Sequence, residues 1–280
     1  MENITWIRLG GSYRLATVVR GQVYLVEGSD DILTDPAKFF RDPEGSVSLA
    51  SRRDLVGPVG TLEGELEPPV PTPSKIVGVG KNFSGHAREM KSSERPVFFM
   101  KAPSALIGHR GAIVVPDIVE KPDYEGEIVV VIGRKVKLAS RSEAQDSIIG
   151  YMAGNDVTAR DLQYDECMPW CLSKSIDTFS PTGPYMVLVN DYSELEGLCV
   201  ETRLNGQLVQ RGCAHEMSLS FAEIVQALSK YMTLYPGDLV FTGTPPGVGH
   251  PRGRYLRDGD VVEVRVGDKD PLVNVVRRST

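Results

Sequence analysis

Pro122-Asp123-Tyr124-Glu125-Gly126-Glu127-Ile128-Val129-Val130-Val131-Ile132-Gly133-Arg134 is the stretch on which the fold class turns. Residues 128–132 are an unbroken β-branched run that ends at a glycine. The run is too short for a free-standing helix and reads as a buried strand. Glu125 and Glu127 open it at i and i+2, and strand alternation puts both carboxylates on one face. Two like charges there repel and are expected to raise each other's pKa. A divalent cation between them removes that cost. A solvated strand start, its acids discouraging edge pairing, is the competing reading, and spacing alone leaves both standing.

A third acid bears on the choice. A short polar helix is expected over residues 142–147, then a second strand over residues 149–156 with Asp156 at its end. Three carboxylates from two neighbouring strand ends, with no His or Cys beside them, make an all-oxygen donor set. Such a set suits Mg²⁺, Mn²⁺ or Ca²⁺ rather than zinc or copper. Three protein ligands leave coordination positions open for water or substrate.

The bounds outside this stretch are ordinary. A chain of 280 residues, 41% hydrophobic and 24% charged, is long enough for a sizeable core. A net charge of −6 without a basic stripe excludes a nucleic-acid footprint. No apolar run approaches membrane-spanning length. Met1-Glu2-Asn3-Ile4 has neither a basic nor an apolar region, so no export signal is expected. The cysteines are Cys167, Cys171, Cys199 and Cys213. Cys167 and Cys171 do not have the redox spacing, and reduced thiols in a cytoplasmic protein are expected.

Towards the N-terminus, residues 4–9 alternate apolar and polar, and residues 15–19 and 22–26 flank Arg20-Gly21 as a hairpin. Asp35-Pro36 starts a short helix with proline at its first position. Glu67-Pro68-Pro69-Val70-Pro71-Thr72-Pro73 reads as a stiff linker. The expected organisation is a small β-rich N-terminal domain (1–66), a proline-rich linker (67–74) and a metal-binding domain (75–280). In the latter, residues 75–80 and 96–100 read as strands, and residues 81–91 as a turn followed by helix. Residues 179–184 read as a tight connection before a strand at 185–189. Asn205-Gly206 signals a type I′ hairpin. The clearest helix covers residues 220–231, with Ser220 and Glu223 as a capping box. Pro236-Gly237-Asp238 and Arg257-Asp258-Gly259-Asp260 turn the chain into strands at 239–242 and 261–266. Strands and hairpins outnumber helices, so a largely antiparallel or mixed β-rich α+β fold is expected, not a doubly wound one.

Assembled in order, these segments resemble the fumarylacetoacetate hydrolase family. The resemblance rests on Asp123-Tyr124-Glu125-Gly126-Glu127, Asn155-Asp156-Val157-Thr158-Ala159-Arg160-Asp161-Leu162-Gln163, Lys174-Ser175-Ile176-Asp177-Thr178-Phe179, Pro236-Gly237-Asp238 and Thr242-Gly243-Thr244-Pro245-Pro246-Gly247-Val248-Gly249. It implies a mixed β-sandwich roll, usually dimeric and so a homodimer here, with metal ligands at Glu125, Glu127 and Asp156. Two positions depart from the family pattern. Phe83 stands where a Tyr often follows the Asn, and Ile176 where the lysine motif commonly has an aromatic.

Other residues gain roles through this resemblance. Lys174, which could otherwise pair with Asp177 on the surface, is expected to face substrate and stabilise enolate charge. Arg160 and Gln163, otherwise a surface helix, are expected to hold a carboxylate. The 242–249 loop lacks the ending of a phosphate loop, and its N–H groups and Thr244 can cradle an oxyanion. Asn82 and Phe83 are placed beside the substrate, and Met168 and Trp170 suggest apolar contact with an acyl group. His86 and Glu89, three apart on a helical turn, are expected to hydrogen-bond as a general-base dyad on a mobile lid. The leading expectation is a Mg²⁺- or Mn²⁺-dependent hydrolase cleaving a C–C bond of a β-diketo acid of acylpyruvate type. A decarboxylase or keto–enol tautomerase acting on a 2-oxo acid is the alternative, and a non-catalytic metal-stabilised scaffold the third reading.

Overall fold

The computed structural model describes residues 2–90, 95–165 and 169–279. Its first strands, β1 (Asn3–Leu9), β2 (Ser12–Val19) and β3 (Gln22–Val26), form an antiparallel meander. Arg20 and Gly21 both have positive φ, as a two-residue hairpin turn of this hand requires. Three short helices follow, α1 (Asp31–Thr34), α2 (Pro36–Phe39) and α3 (Pro43–Ala50). Asp35 and Asp42 cap the second and third by accepting the N–H groups of Ala37 and Gly45, each with proline in the first turn. β4 (Leu55–Thr61) then pairs with β3 at the sheet edge and is exposed along its length.

Past the proline-rich segment come β5 (Ile76–Gly80), α4 (Ser84–Glu89), β6 (Val97–Lys101), β7 (Leu106–Ile107), β8 (Ala112–Val115) and β9 (Pro122–Asp123). β10 (Gly126–Ile132), α5 (Arg141–Asp146), β11 (Ile148–Asn155), β12 (Thr158–Ala159), α6 (Arg160–Gln163) and α7 (Trp170–Ser173) carry most of the motifs. β13 (Ser180–Leu188), α8 (Ser193–Glu196), β14 (Cys199–Leu204), β15 (Gln207–Cys213), α9 (Phe221–Tyr231), β16 (Leu239–Phe241), β17 (Val261–Val266) and β18 (Leu272–Arg278) complete the fold.

One sheet has the order β4-β3-β2-β1-β13-β11-β10-β16-β5-β6, with β7 beside β13. A second has the order β15-β14-β17-β18-β8. Pairing is mostly antiparallel, with β16–β5, β18–β8 and β13–β7 parallel, so both sheets are mixed or nearly so. β10 packs on β14, β11 on β17 and β13 on β18, which makes the sandwich.

The unbroken run in β10 has a physical reason. Ile128, Val130 and Ile132 enter the core shared with Val262 and Val264, while Val129 and Val131 enter a second core with Ile4, Trp6 and Met186. A strand buried on both faces cannot alternate. The same contacts, with the β1–β13 ladder, join the N-terminal strands to the main sheet.

Three local expectations change. The helix after β10 starts one residue earlier than expected, because Ser140 caps it and pairs with Glu143 as a capping box. The segment read as a tight connection is the first half of β13, and the ladder shifts register opposite Pro184, which lacks a donor. Cys199 and Cys213 are not thiols but a disulfide between facing residues of β14 and β15. Cys171 is free and half-buried, and Cys167 lies outside the described residues. Among the described residues no helix is long and apolar enough to cross a membrane.

Candidate active site and metal centre

The three acids meet where β10 and β11 end side by side. The Asp156 N–H donates to the Glu125 carbonyl at 2.8 Å, and Asn155 Oδ1 accepts the Glu125 N–H at 2.9 Å. Gly126, between the two glutamates, donates its N–H to Gln210 Oε1 at 3.0 Å, and its carbonyl accepts the Thr244 hydroxyl at 2.9 Å. Fixed backbones therefore set the spacing of the acids. One ligand oxygen from each of Glu125, Glu127 and Asp156 lies within 4.8 Å of the others, and the residues are 5%, 2% and 0% exposed. Burial this deep removes the solvated-strand-start reading.

Cations answer part of this charge. The Lys174 ammonium donates to Asp156 Oδ2 at 2.6 Å, Glu125 Oε2 at 3.0 Å and Thr158 Oγ1 at 2.8 Å. Arg160 donates to Glu125 Oε1 at 2.5 Å, Asp123 Oδ2 at 2.9 Å and Gln163 Oε1 at 2.8 Å. Glu125 is consequently not raised as expected. Burial pushes its carboxyl up, but Lys174 and Arg160 outweigh that and hold it far below the usual range. Glu127 behaves as expected: burial first, then Asp156 and Glu125, push it well above the usual carboxylate range. Among the described residues its one hydrogen-bond donor is the Gly243 N–H, at 2.7 Å from Oε2. The donor set is all oxygen, and among the described residues no side-chain cation contacts Glu127. A hard divalent cation fits those two facts.

A cavity of about 260 Å³ opens on this cluster. Its wall includes His86, Glu125, Glu127, Arg160, Gln163, Lys174 and Thr244, all expected at the site. Asn82 and Phe83 do not line it. The Asn82 amide is fully used, donating to the Leu219 and Thr242 carbonyls and accepting the Leu219 N–H, so it braces the loop under the site. Phe83 is buried. The Thr244 hydroxyl is also committed, to Gly126 and to Gln210 Nε2 at 2.8 Å.

The expected His86–Glu89 hydrogen bond is absent: Nδ1 and Oε2 are 3.9 Å apart, and Nδ1 is buried with no hydrogen-bond partner. Glu89 instead accepts the Gly247 N–H at 2.8 Å and pairs with Arg252 at 2.9 Å. Helix α4, expected to be a mobile lid, is anchored by Ala87, which is wholly buried; Lys91 and Met168 lie outside the described residues.

Sequence reasoning missed several residues. Lys101, wholly buried, donates to Asp156 Oδ1 at 2.5 Å and to the Lys174 carbonyl at 2.6 Å. A lysine closing an apolar strand was the available signal. Asp123 orients Arg160 and accepts the N–H groups of Gly249 and His250 at 2.8 and 3.0 Å. Lys81 and Tyr164 line the cavity and had been given no role, whereas Trp170 does line it as expected.

The family model described as fumarylacetoacetate (FAA) hydrolase C-terminal matches residues 75–277. The oxaloacetate tautomerase YisK of Bacillus subtilis is 42% identical over 225 residues, covering 76% of this chain and 73% of that protein. The crystal structure of 2-hydroxyhepta-2,4-diene-1,7-dioate isomerase from Mycobacterium marinum aligns with a TM-score of 0.78 at 30% identity, over 100% of this chain and 99% of that one. A fumarylacetoacetate hydrolase from psychrophilic Exiguobacterium antarcticum aligns over 100% of both chains with a TM-score of 0.83 at 30% identity.

Proposed function

The chain belongs to the fumarylacetoacetate hydrolase family, and from that premise we propose that it is a Mg²⁺- or Mn²⁺-dependent tautomerase, interconverting the keto and enol forms of a small 2-oxo acid such as oxaloacetate. The observation that carries this reading is one small cavity lined by His86, Glu125 and Glu127, with Asp156 buried against both glutamates so that one oxygen of each acid lies within 4.8 Å of the others. Similarity to a protein named as an oxaloacetate tautomerase supports the choice of reaction. In the proposed site Glu125, Glu127 and Asp156 hold the cation. When bound, the cation supplies Lewis acidity towards a 2-oxo carboxylate.

The chain's own residues do the rest. The His86 ring, which lines the cavity, is the group assigned to accept a proton from the carbon next to the ketone and return it. Lys174 and Arg160 hold Glu125 ionised, and so keep one acid ready for a cation at any ordinary pH. Val79, Met90 and Trp170 give the wall apolar area that limits water beside the enolate. The homodimer implied by the resemblance is part of this proposal, and sedimentation at the 30.6 kDa of one chain would contradict it.

Hydrolysis of acylpyruvates is the second reading, favoured by the likeness to a fumarylacetoacetate hydrolase. It needs an activated water, and the carboxylate expected to fix His86 for that task is tied to Gly247 and Arg252. One panel separates the two. Enol loss from oxaloacetate and pyruvate release from acylpyruvates are followed with each metal. Faster enol–keto exchange without C–C cleavage is expected. Pyruvate release with no effect on the enol would overturn the proposal in favour of the hydrolase.

A further inference from the structure

Among the described residues, three lysine and arginine side chains line the cavity: Lys81, Arg160 and Lys174. Arg160 is spent on Asp123, Glu125 and Gln163, and Lys174 on Asp156, Glu125 and Thr158. The Lys81 ammonium has no hydrogen bond or ion pair among the described residues. It lies 5.8 Å from the centroid of the Trp170 ring, at the outer reach of a cation–π contact. Lys81 leaves β5 with φ of +64°, left-handed backbone that a side-chain-bearing residue holds at a cost. The residue before it, Gly80, lets the Trp170 ring close in, since a Cβ there would meet Cζ3 at 3.2 Å. The cavity thus combines acids whose cations are already committed with, among the described residues, one uncommitted lysine near an aromatic ring.

We propose that Lys81 receives the second carboxylate of a 2-oxo dicarboxylate, so that the site selects diacids over 2-oxo acids with neutral tails. The inference rests on the proposed function, which puts the 2-oxo carboxylate end of the substrate at the acid cluster. A second carboxylate on that substrate then meets the cation that no other described group engages. At about 260 Å³ the cavity falls below the usual range of roughly 300–1,000 Å³ for ligand sites, which suits a short diacid. Trp170, expected from sequence to contact an apolar acyl group, serves instead as the surface along which the Lys81 stem and the ligand carbons lie.

Calorimetric titration of the Mg²⁺-loaded protein with oxaloacetate and with its 4-methyl ester isolates the distal charge, because the metal-facing ends are identical. Wild type is expected to prefer the diacid by about tenfold or more, the scale of a charge-assisted hydrogen bond. Lys81→Met should abolish the preference and Lys81→Arg keep it, while oxalate, which has no distal group, binds all three proteins alike. A wild type without the preference, or a Lys81→Met protein that retains it, overturns the inference. So does loss of oxalate binding in Lys81→Met, which would make Lys81 a support of the site rather than a reader of the ligand. Preferred binding of oxaloacetate without tautomerisation removes the proposed activity and leaves the Lys81 contact standing. Tautomerisation without preference does the reverse.

Discussion

Burial and two neighbouring acids disfavour the ionised form of Glu127. Buried beside Asp156 and Glu125, its carboxyl is held well above its ordinary value of 4.5, so the metal-free fold binds its proton more tightly than the unfolded chain does. The stability linked to this group is complete below 4.5 and is lost as pH rises through the raised value. Glu125 has the opposite sign. Its lowered pKa contributes stability above 4.5 that is lost only as pH falls below it, so the two windows do not overlap. Glu127→Gln is therefore expected to raise Tm in chelator, increasingly so as pH climbs above 5, and to lose the Tm gain that Mg²⁺ or Mn²⁺ gives wild type. A variant that still gains Tm with metal would contradict Glu127 as a ligand. The three acids were legible in sequence because strand alternation fixes which side chains share a face. The sign at Glu125 was not, because it depends on Lys174 and Arg160, which reach it from 49 and 35 residues away.

At the scale of elements, the site depends on two strand ends held in register by neighbours from the other sheet. Gly126 has no room for a side chain: a Cβ there would meet Thr202 Oγ1 at 1.9 Å and Val264 Cγ1 at 3.3 Å. Gly126→Ala is expected to cost about 1–3 kcal/mol of stability through overpacking. It should also weaken metal affinity by moving Glu125 and Glu127 relative to Asp156. Chemical denaturation and metal titration on the same sample check both, and unchanged metal affinity would mean that the acids tolerate a displaced β10. The disulfide shows what the sequence held but the reading did not use. Cys199 and Cys213 lie six before and eight after Asn205 of a recognised hairpin, so a bulge of one residue, found between Thr202 and Arg203, brings them opposite. Hairpin registers that slip by a bulge are hidden from a local pattern. So was the half of β13 before Pro184, where glycine and prolines read as a turn but the strand continues.

At the scale of the whole molecule, the proline-rich segment reads as a boundary, and the packing crosses it. Ile4 and Trp6 share a core with Val129, Val131 and Phe241, and β1 extends the sheet from β13. Calorimetric unfolding is expected to show one transition, whereas two resolved transitions would restore an independent N-terminal unit. Composition could not show this, because a linker is recognised by its own residues and a shared core only by long-range pairing. The chemical claim about the molecule is that the buried acids, a divalent cation and His86 together move a proton at the carbon beside a ketone. Solvent deuterium exchange at C3 of oxaloacetate, followed by NMR with Mg²⁺, reads that step alone. Wild type should exchange C3 hydrogen far faster than Mg²⁺ in buffer, chelator or Glu127→Gln should abolish the gain, and His86→Gln should lose about 10²- to 10⁴-fold while still binding oxalate. Exchange by wild type no faster than by Mg²⁺ alone would contradict the account.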